Sequence, residues 1–107
     1  MSLISELYLF GSRARGDHKK DSDFDVFIDS VNLSDVRFRM IVNLLRPYAV
    51  EYGGRLDLFE LCGDNLLAVY DEYDCRRVIL DKYDFHNLQV EAEPITPIEL
   101  IQLITGA

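Results

Sequence analysis

Residues 7–28 read Leu-Tyr-Leu-Phe-Gly-Ser-Arg-Ala-Arg-Gly-Asp-His-Lys-Lys-Asp-Ser-Asp-Phe-Asp-Val-Phe-Ile, two apolar runs around a polar segment. The runs have the length and composition of buried β-strands, and Gly11-Ser12 follows the first one directly. Ten residues separate Ser12 from Asp23, and Asp25 stands two positions later. Because residues i and i+2 of a strand share a face, we expect the two carboxylates to project together. Paired carboxylates repel unless a cation lies between them, and Mg²⁺ typically binds such oxygens together with substrate phosphates. The segment therefore predicts a phosphate-binding turn beside a magnesium site.

The composition is that of one folded domain, which we expect to cover residues 1–107. Apolar residues make up 49% of the chain and aromatic residues 11%, values that exclude a disordered chain. No apolar run approaches the roughly 20 residues that span a bilayer, so no membrane association is expected. The N-terminus lacks a signal-peptide pattern, which predicts a cytoplasmic protein. Cys62 and Cys75 form no Cys-x-x-Cys motif and are expected to be reduced thiols.

The formal net charge of −8 restricts the choice of partner. Proteins that bind long nucleic acids usually present a basic face to the phosphates, so a polymeric DNA or RNA acceptor is disfavoured. A second subunit could supply the missing charge. The local excess of positive charge suits one triphosphate, and it consists of Arg13, Arg15, His18, Lys19 and Lys20.

The hydrophobic pattern predicts an α/β (α+β) fold with a small mixed sheet of about four strands and helices packed mainly on one face. Strands are expected over residues 6–10, 24–29, 55–61 and 77–80, with a loop over 17–22 between the first two. A short helical stretch is expected over 66–70, and 85–93 is left without an assignment.

Two longer helices are expected. The first is capped by Ser34 or Asp35 and ends near Pro47. Its predicted buried face comprises Val36, Met40, Ile41, Leu44, Leu45 and Tyr48. The second runs over 98–104 after the capping box Thr96-Pro97-Ile98-Glu99, and it is apolar enough to dock on the core or to form a partner surface.

A third carboxylate, Asp57, lies within the apolar run of the third predicted strand. A buried aspartate is costly unless it is paired or bound to a metal. By itself Asp57 could face solvent or pair with Arg55. Alongside Asp23 and Asp25, a role as a third metal ligand is favoured.

The combination of Gly11-Ser12, ten intervening residues, Asp23-x-Asp25 and Asp57 in a later strand resembles the minimal nucleotidyltransferase family of the DNA polymerase β-like superfamily. The resemblance covers roughly residues 7–61. Gly16 and Ser22 also fit the longer form of the motif, Gly-Ser-x-x-x-Gly followed by Ser-Asp-x-Asp.

The resemblance implies an enzyme that transfers an NMP, with ATP as the expected donor, to an acceptor hydroxyl and releases pyrophosphate. It implies that Asp23 and Asp25 hold two Mg²⁺ ions and that Asp57 completes the site of the catalytic ion. In such a site the backbone of Gly11 approaches the phosphates closely, and Ser12 donates to them.

The resemblance also implies nucleotide contacts from the loop that follows the turn. Arg13 and Arg15 are candidates for contact with the triphosphate, although each could be a solvated loop charge. Ser22 is assigned to the nucleotide site through its match to the longer motif.

Several functional alternatives stay open at this point. Members of this size resemble antitoxins whose partner is a HEPN-type ribonuclease toxin, which they modify or bind. The domain could instead be a non-catalytic module that neutralises its partner by occlusion. An antibiotic-modifying nucleotidyltransferase is a third alternative, one that would need a further helical domain or two protomers sharing a site in a homo-oligomer.

Substitution of Ser12 by alanine tests the phosphate turn. We expect roughly tenfold weaker ATP binding by Ser12→Ala, because a hydrogen bond to a charged group contributes about 1.5–3 kcal/mol. The thermal midpoint should change little. Calorimetric titration and thermal unfolding measure the two quantities, and an unchanged ATP affinity would count against the assignment.

Overall fold

A computed structural model describes residues 5–31, 33–62, 65–69, 77–80 and 91–106. The bounds of the β-strands are β1 Leu7–Phe10, β2 Phe24–Asp29, β3 Leu56–Cys62, β4 Asn65–Val69, β5 Arg77–Leu80 and β6 Glu93–Pro94. The α-helices are α1 Ser12–Arg15, α2 Asp35–Leu45 and α3 Pro97–Thr105, and two 3₁₀ turns cover Arg46–Tyr48 and Val50–Tyr52. No helix of the described part of the chain is both long and apolar enough to cross a membrane.

The described strands form one mixed sheet in the order β5-β4-β3-β2-β1-β6. β2 and β3 are parallel, whereas the other neighbouring pairs are antiparallel. Parallel neighbours require a crossover, and α2 with the two 3₁₀ turns provides it. The predicted α+β class and the mixed sheet are confirmed.

Alternating side chains of the central strands divide the sheet into two faces. Phe24, Val26 and Ile28 of β2 lie in a core cluster that also contains Ile41 and Leu45 of α2. Leu100 of α3 belongs to the same cluster, so these helices cover one face, as predicted. A second cluster on the opposite face contains Phe10, Phe27, Phe59 and Leu66.

The sheet contains two more strands than the four predicted. Residues 66–69 of the predicted short helix belong to β4, so the helix prediction was wrong; Tyr70 lies outside the described residues. The physical reason is tertiary, since an antiparallel ladder joins Phe59 to Ala68 and Leu61 to Leu66. β6 begins at Glu93, the last residue of the unassigned stretch 85–93, of which residues 85–90 lie outside the described part of the chain. β5 matches its prediction.

Both predicted helix caps are confirmed. The Ser34 Oγ accepts a hydrogen bond from the Arg37 N–H at 3.1 Å, which starts α2. At α3 the Thr96 hydroxyl accepts from the Glu99 N–H at 3.1 Å, and the Glu99 carboxylate accepts from the Thr96 N–H at 3.0 Å. These bonds lower the pKa of the Glu99 carboxyl, because they favour its charged form.

The predicted buried face of α2 was only partly right. Ile41 and Leu45 are buried, but Val36, Met40 and Leu44 remain 70%, 55% and 47% exposed. Val42, which the prediction omitted, is buried instead. The helix is rotated toward Val42 and away from Val36, because only one side of it can meet the sheet.

Gly54 lies in the turn that leads into β3, where the backbone passes close to Tyr48. The Gly54 N–H donates to the Ala49 carbonyl at 2.9 Å, and a Cβ at this position would lie 2.0 Å from the carbonyl oxygen of Tyr48. Backbone atoms cannot move aside as a flexible side chain can. The neighbouring Gly53 has a φ of +82°, but a Cβ on Gly53 would meet no atom within 4 Å.

We expect Gly54→Ala to lower the free energy of unfolding by about 3 kcal/mol, near the upper end for overpacking. Gly53→Ala is the control, and its left-handed backbone should cost about 1 kcal/mol. Urea unfolding followed by circular dichroism measures both. Equal stability of the two variants would contradict the steric role of Gly54.

Candidate active site

Two of the three predicted carboxylates occupy neighbouring positions on the central strands. In the parallel ladder of β2 and β3, Asp25 is the direct register partner of Asp57. Adjacent strands lie roughly 4.8 Å apart, and register partners of a ladder share a face. That face is the one that also carries Phe27 and Phe59, opposite to α2 and α3. Both aspartates are partly exposed, so solutes can reach them.

The third carboxylate, Asp23, is exposed and lies just before β2. It is two residues from Asp25, which places it next to the pair along the chain. As the side chains stand, no group of three or more His, Cys, Asp or Glu residues in the described ranges has a metal-holding arrangement. The fold thus brings Asp25 and Asp57 together through the register of β2 and β3. Asp23 lies near them because it is only two residues from Asp25 in the chain.

The turn at Gly11 approaches the carboxylate of Asp25 closely. Gly11 is buried and adopts φ +72°, ψ −155°, and its carbonyl accepts from the N–H groups of Ala14 and Arg15 at 3.1 and 3.0 Å. A Cβ on Gly11 would lie 2.6 Å from the Asp25 Oδ2. Glycine is required here for two reasons, the left-handed φ and the space that the carboxylate occupies.

Ser12 begins α1, a single turn that ends at Gly16 with φ +84°. The side chain of Ser12 is partly exposed and stands one residue from the glycine that contacts Asp25. The predicted turn therefore lies beside the carboxylate pair, as the motif requires. Contact of Ser12 with a phosphate stays a prediction.

Arg13 and Ser22, both predicted at the nucleotide site, contact each other. The Arg13 Nε and Nη2 donate to the carbonyl of Ser22 at 3.3 and 2.9 Å, and Nη2 also donates to the carbonyl of Lys20 at 3.2 Å. The Ser22 Oγ accepts from the Lys19 N–H at 2.9 Å and so closes a turn within the loop. These contacts hold the loop, whereas the predicted contacts with nucleotide stay untested.

Arg15 lies in an acidic setting. Its guanidinium pairs with Glu91 at 2.8 Å and with Asp17 at 3.2 Å, and its side chain is 48% exposed. The hydrogen bond to Glu91, followed by that to Asp17, raises the pKa of Arg15. The residue is a permanent cation close to the turn, and its contact with a triphosphate stays a prediction.

Sequence reasoning missed the role of Arg55, which it considered only as a partner of Asp57. The Arg55 Nη2 donates to the carbonyls of Lys20 and Ser22 at 2.7 and 2.8 Å. The bonded residues are 35 and 33 positions apart in the sequence. Contacts between a side chain and such a distant backbone carbonyl produce no periodic pattern in the sequence. The only hint in the sequence was the position of Arg55 directly before the predicted strand of Asp57.

The donor set fits a hard divalent cation. Carboxylate oxygens are the ligands that Mg²⁺ prefers, and two aspartates in register on one face provide them. Two adjacent negative charges also favour a cation between them. The close packing of Gly11 against Asp25 Oδ2 leaves no room for a side chain on that side of the carboxylate.

Comparison with known proteins identifies the class. The sequence profile of the nucleotidyltransferase domain matches residues 1–100, and the chain belongs to that family.

A curated relative is similar over part of its length. A protein of Methanocaldococcus jannaschii named "Putative protein adenylyltransferase" is 38% identical over 50 residues. The aligned stretch covers 47% of this chain and 46% of the relative, so the chain matches about half of that protein. No solved structure shows a significant match.

Two glycine variants test the closeness of the turn to Asp25. Gly11→Ala and Gly16→Ala both place alanine at a positive φ, which costs about 1–2 kcal/mol in each case. Only the Gly11 variant meets a carboxylate, and the flexible end of Asp25 must then turn away. We expect similar losses of stability but at least about tenfold weaker Mn²⁺ binding for Gly11→Ala alone.

Urea unfolding and the electron paramagnetic resonance signal of free Mn²⁺ provide the two readouts. Equal Mn²⁺ affinities of the two variants would contradict the proposed closeness of Gly11 to the ligand set.

Proposed function

We propose that the chain is a Mg²⁺-dependent enzyme that transfers AMP from ATP to a hydroxyl group of an acceptor protein and releases pyrophosphate. The observation that carries the proposal is the register of Asp25 with Asp57 beside the Gly11-Ser12 turn. Membership of the nucleotidyltransferase domain family supports the reaction type. The name of the relative from Methanocaldococcus jannaschii supports the adenylyl group and the protein acceptor.

In this proposal Asp23, Asp25 and Asp57 hold two Mg²⁺ ions. When bound, such ions supply positive charge that neutralises the triphosphate and polarises the acceptor hydroxyl. Asp25 and Asp57 belong to two central strands, so the sheet itself sets their separation. A site on a rigid element loses little free energy to ordering when its ligand binds.

The remaining roles follow from positions in the turn. The backbone of Gly11, without a Cβ, allows close approach of the phosphates, and Ser12 donates its hydroxyl and N–H to their oxygens. The acceptor oxygen forms a bond to the α-phosphorus, and the bond from that phosphorus to the pyrophosphate oxygen breaks. Asp57 accepts the proton that leaves the acceptor hydroxyl. Catalysis of this type depends mainly on positioning and charge stabilisation.

The acceptor is proposed to be a protein rather than a nucleic-acid polymer. The net charge of −8 opposes a long polyanion, and the surface on α2 and α3 suits a protein. Val36, Met40 and Ile98 are 70%, 55% and 66% exposed there. Exposed apolar side chains that are grouped together often mark interaction surfaces. A HEPN-type toxin is the partner that the family resemblance implies.

The same surface favours a second candidate function, in which the domain binds and occludes its partner without transferring a nucleotide. The two functions differ in their need for Asp57. If occlusion suffices, Asp57→Asn still suppresses a toxin partner in cells, whereas the enzymatic function predicts loss of suppression.

The carboxylates are tested by conservative variants. Asp23→Asn, Asp25→Asn and Asp57→Asn should each reduce Mg²⁺-dependent transfer by about 100-fold or more, because loss of metal assistance removes several kcal/mol of transition-state stabilisation. The fold should survive, since removal of repelling charges rarely destabilises. The measurement is incorporation of label from [α-³²P]ATP into protein bands of a cell lysate.

Asp29→Asn is the matched control. Asp29 lies on the same strand and the same face as Asp25 but four residues away, roughly 13 Å along the strand. Transfer by this variant should equal that of the unchanged protein. Retained transfer in both Asp25→Asn and Asp57→Asn would overturn the proposed site.

A further inference from the structure

Two arginines from different parts of the chain donate to the same two carbonyl oxygens. Arg13 of α1 and Arg55 before β3 make five hydrogen bonds to the carbonyls of Lys20 and Ser22, at 2.7–3.3 Å. We call the pair Arg13 and Arg55 the arginine clamp. The Ser22 carbonyl alone accepts from three guanidinium N–H groups, two of Arg13 and one of Arg55.

The carbonyl of Ser22 belongs to the peptide group that joins Ser22 to Asp23. A peptide group is planar, so a fixed carbonyl also fixes the N–H and the Cα of the next residue. On the other side of Asp23, the Phe24 N–H donates to the Arg55 carbonyl at 2.7 Å. Asp23 is therefore held by its backbone on both sides, although its side chain is exposed.

The ring of Phe24 supports the arginine clamp. The guanidinium carbons of Arg13 and Arg55 lie 4.3 and 5.5 Å from the ring centroid, and Phe24 is only 5% exposed. Cations over an aromatic face are attracted by it, and Phe24 is anchored in the core beneath. The planar guanidinium can donate to two acceptors at once, which a lysine ammonium at the same place cannot do with the same geometry.

We propose that Arg13 and Arg55 are positioning residues that hold Asp23 at the edge of the Asp25–Asp57 pair, so that three carboxylates reach the same divalent cations. This inference rests on the proposed function. It gives Arg13 a task other than the triphosphate contact predicted from the sequence. Neither arginine touches the reacting atoms; both act through the backbone of Ser22 and Asp23.

Lysine variants test the arginine clamp because they keep the positive charge and remove the planar guanidinium that donates to two acceptors at once. We expect Arg13→Lys and Arg55→Lys each to weaken Mn²⁺ binding about tenfold or more, as is typical when groups that orient metal ligands are lost. The double variant should be little worse than either single variant, since both arginines hold the same two carbonyls. The probe is Mn²⁺ with α,β-methylene-ATP, and the readout is the resonance signal of free Mn²⁺.

The matched control is Arg37→Lys. Arg37 also makes a paired contact, donating to both carboxylate oxygens of Glu6 at 2.7 and 2.8 Å, but it belongs to α2, which covers the face of the sheet opposite to Asp25 and Asp57. Its Mn²⁺ affinity should equal that of the unchanged protein. Circular dichroism of each sample at the assay temperature confirms that the variant is folded, and the thermal midpoint without metal measures any purely structural effect.

A second route to the same result is Phe24→Leu, which leaves both guanidiniums but removes the ring beneath them. It should weaken Mn²⁺ binding in the same direction by about threefold or more, and it serves in place of any lysine variant that does not fold.

The outcomes separate the inference from the function on which it rests. If the unchanged protein fails to bind Mn²⁺ with the nucleotide analogue, the proposed function falls and the inference with it. If the unchanged protein binds but Arg13→Lys and Arg55→Lys bind equally well, only the inference is overturned. Weaker binding by Arg13→Lys alone also overturns it, because that result indicates a direct triphosphate contact rather than a shared hold on Ser22.

Discussion

The parallel pairing of β2 with β3 is the constraint on which the site depends. Its register sets Asp25 beside Asp57, and a slip of one residue would turn one of them to the helix-covered face. Apolar neighbours oppose such a slip, because Val26 or Leu58, whichever strand had moved, would then leave the core. The hydrophobic effect that builds the sheet thus also keeps two like charges adjacent. Their mutual repulsion is the cost that a divalent cation would relieve.

The turns next to these strands position the other residues of the candidate site relative to β2 and β3. Gly54 allows the chain to enter β3 against the backbone of Tyr48, and Arg55 follows at once. From there Arg55 reaches the loop before β2, while Gly11 brings the end of β1 against Asp25. Each of these contacts is made by backbone or by a charged side chain bonded to backbone.

Much of the fold could be read from local patterns, and the failures have physical causes. The apolar runs at β1, β2 and β3 and the caps at Ser34 and Thr96 are encoded by neighbouring residues, so they were predicted. A short apolar run such as residues 66–69 fits either a helix or a strand, and only its ladder with β3 decides. For α2 the hydrophobic periodicity predicted an amphipathic helix. It did not predict which side of the helix is buried, because that depends on how the helix packs against the sheet. The carboxylates were proposed as metal ligands because metal chemistry demands closely spaced acids. The Arg55 contact was missed because it joins distant residues through backbone oxygens.

The short β6 strand has a consequence for solubility. It pairs with β1 through Tyr8 and Leu9, and its two residues are the exposed Glu93 and Pro94. An outer strand normally presents unpaired backbone groups to any other extended chain, which can then add to the sheet. A strand of two residues, with one charge and one imide nitrogen that cannot donate, offers little for such an addition. This edge of the sheet is therefore protected against the addition of further strands and the growth of fibres.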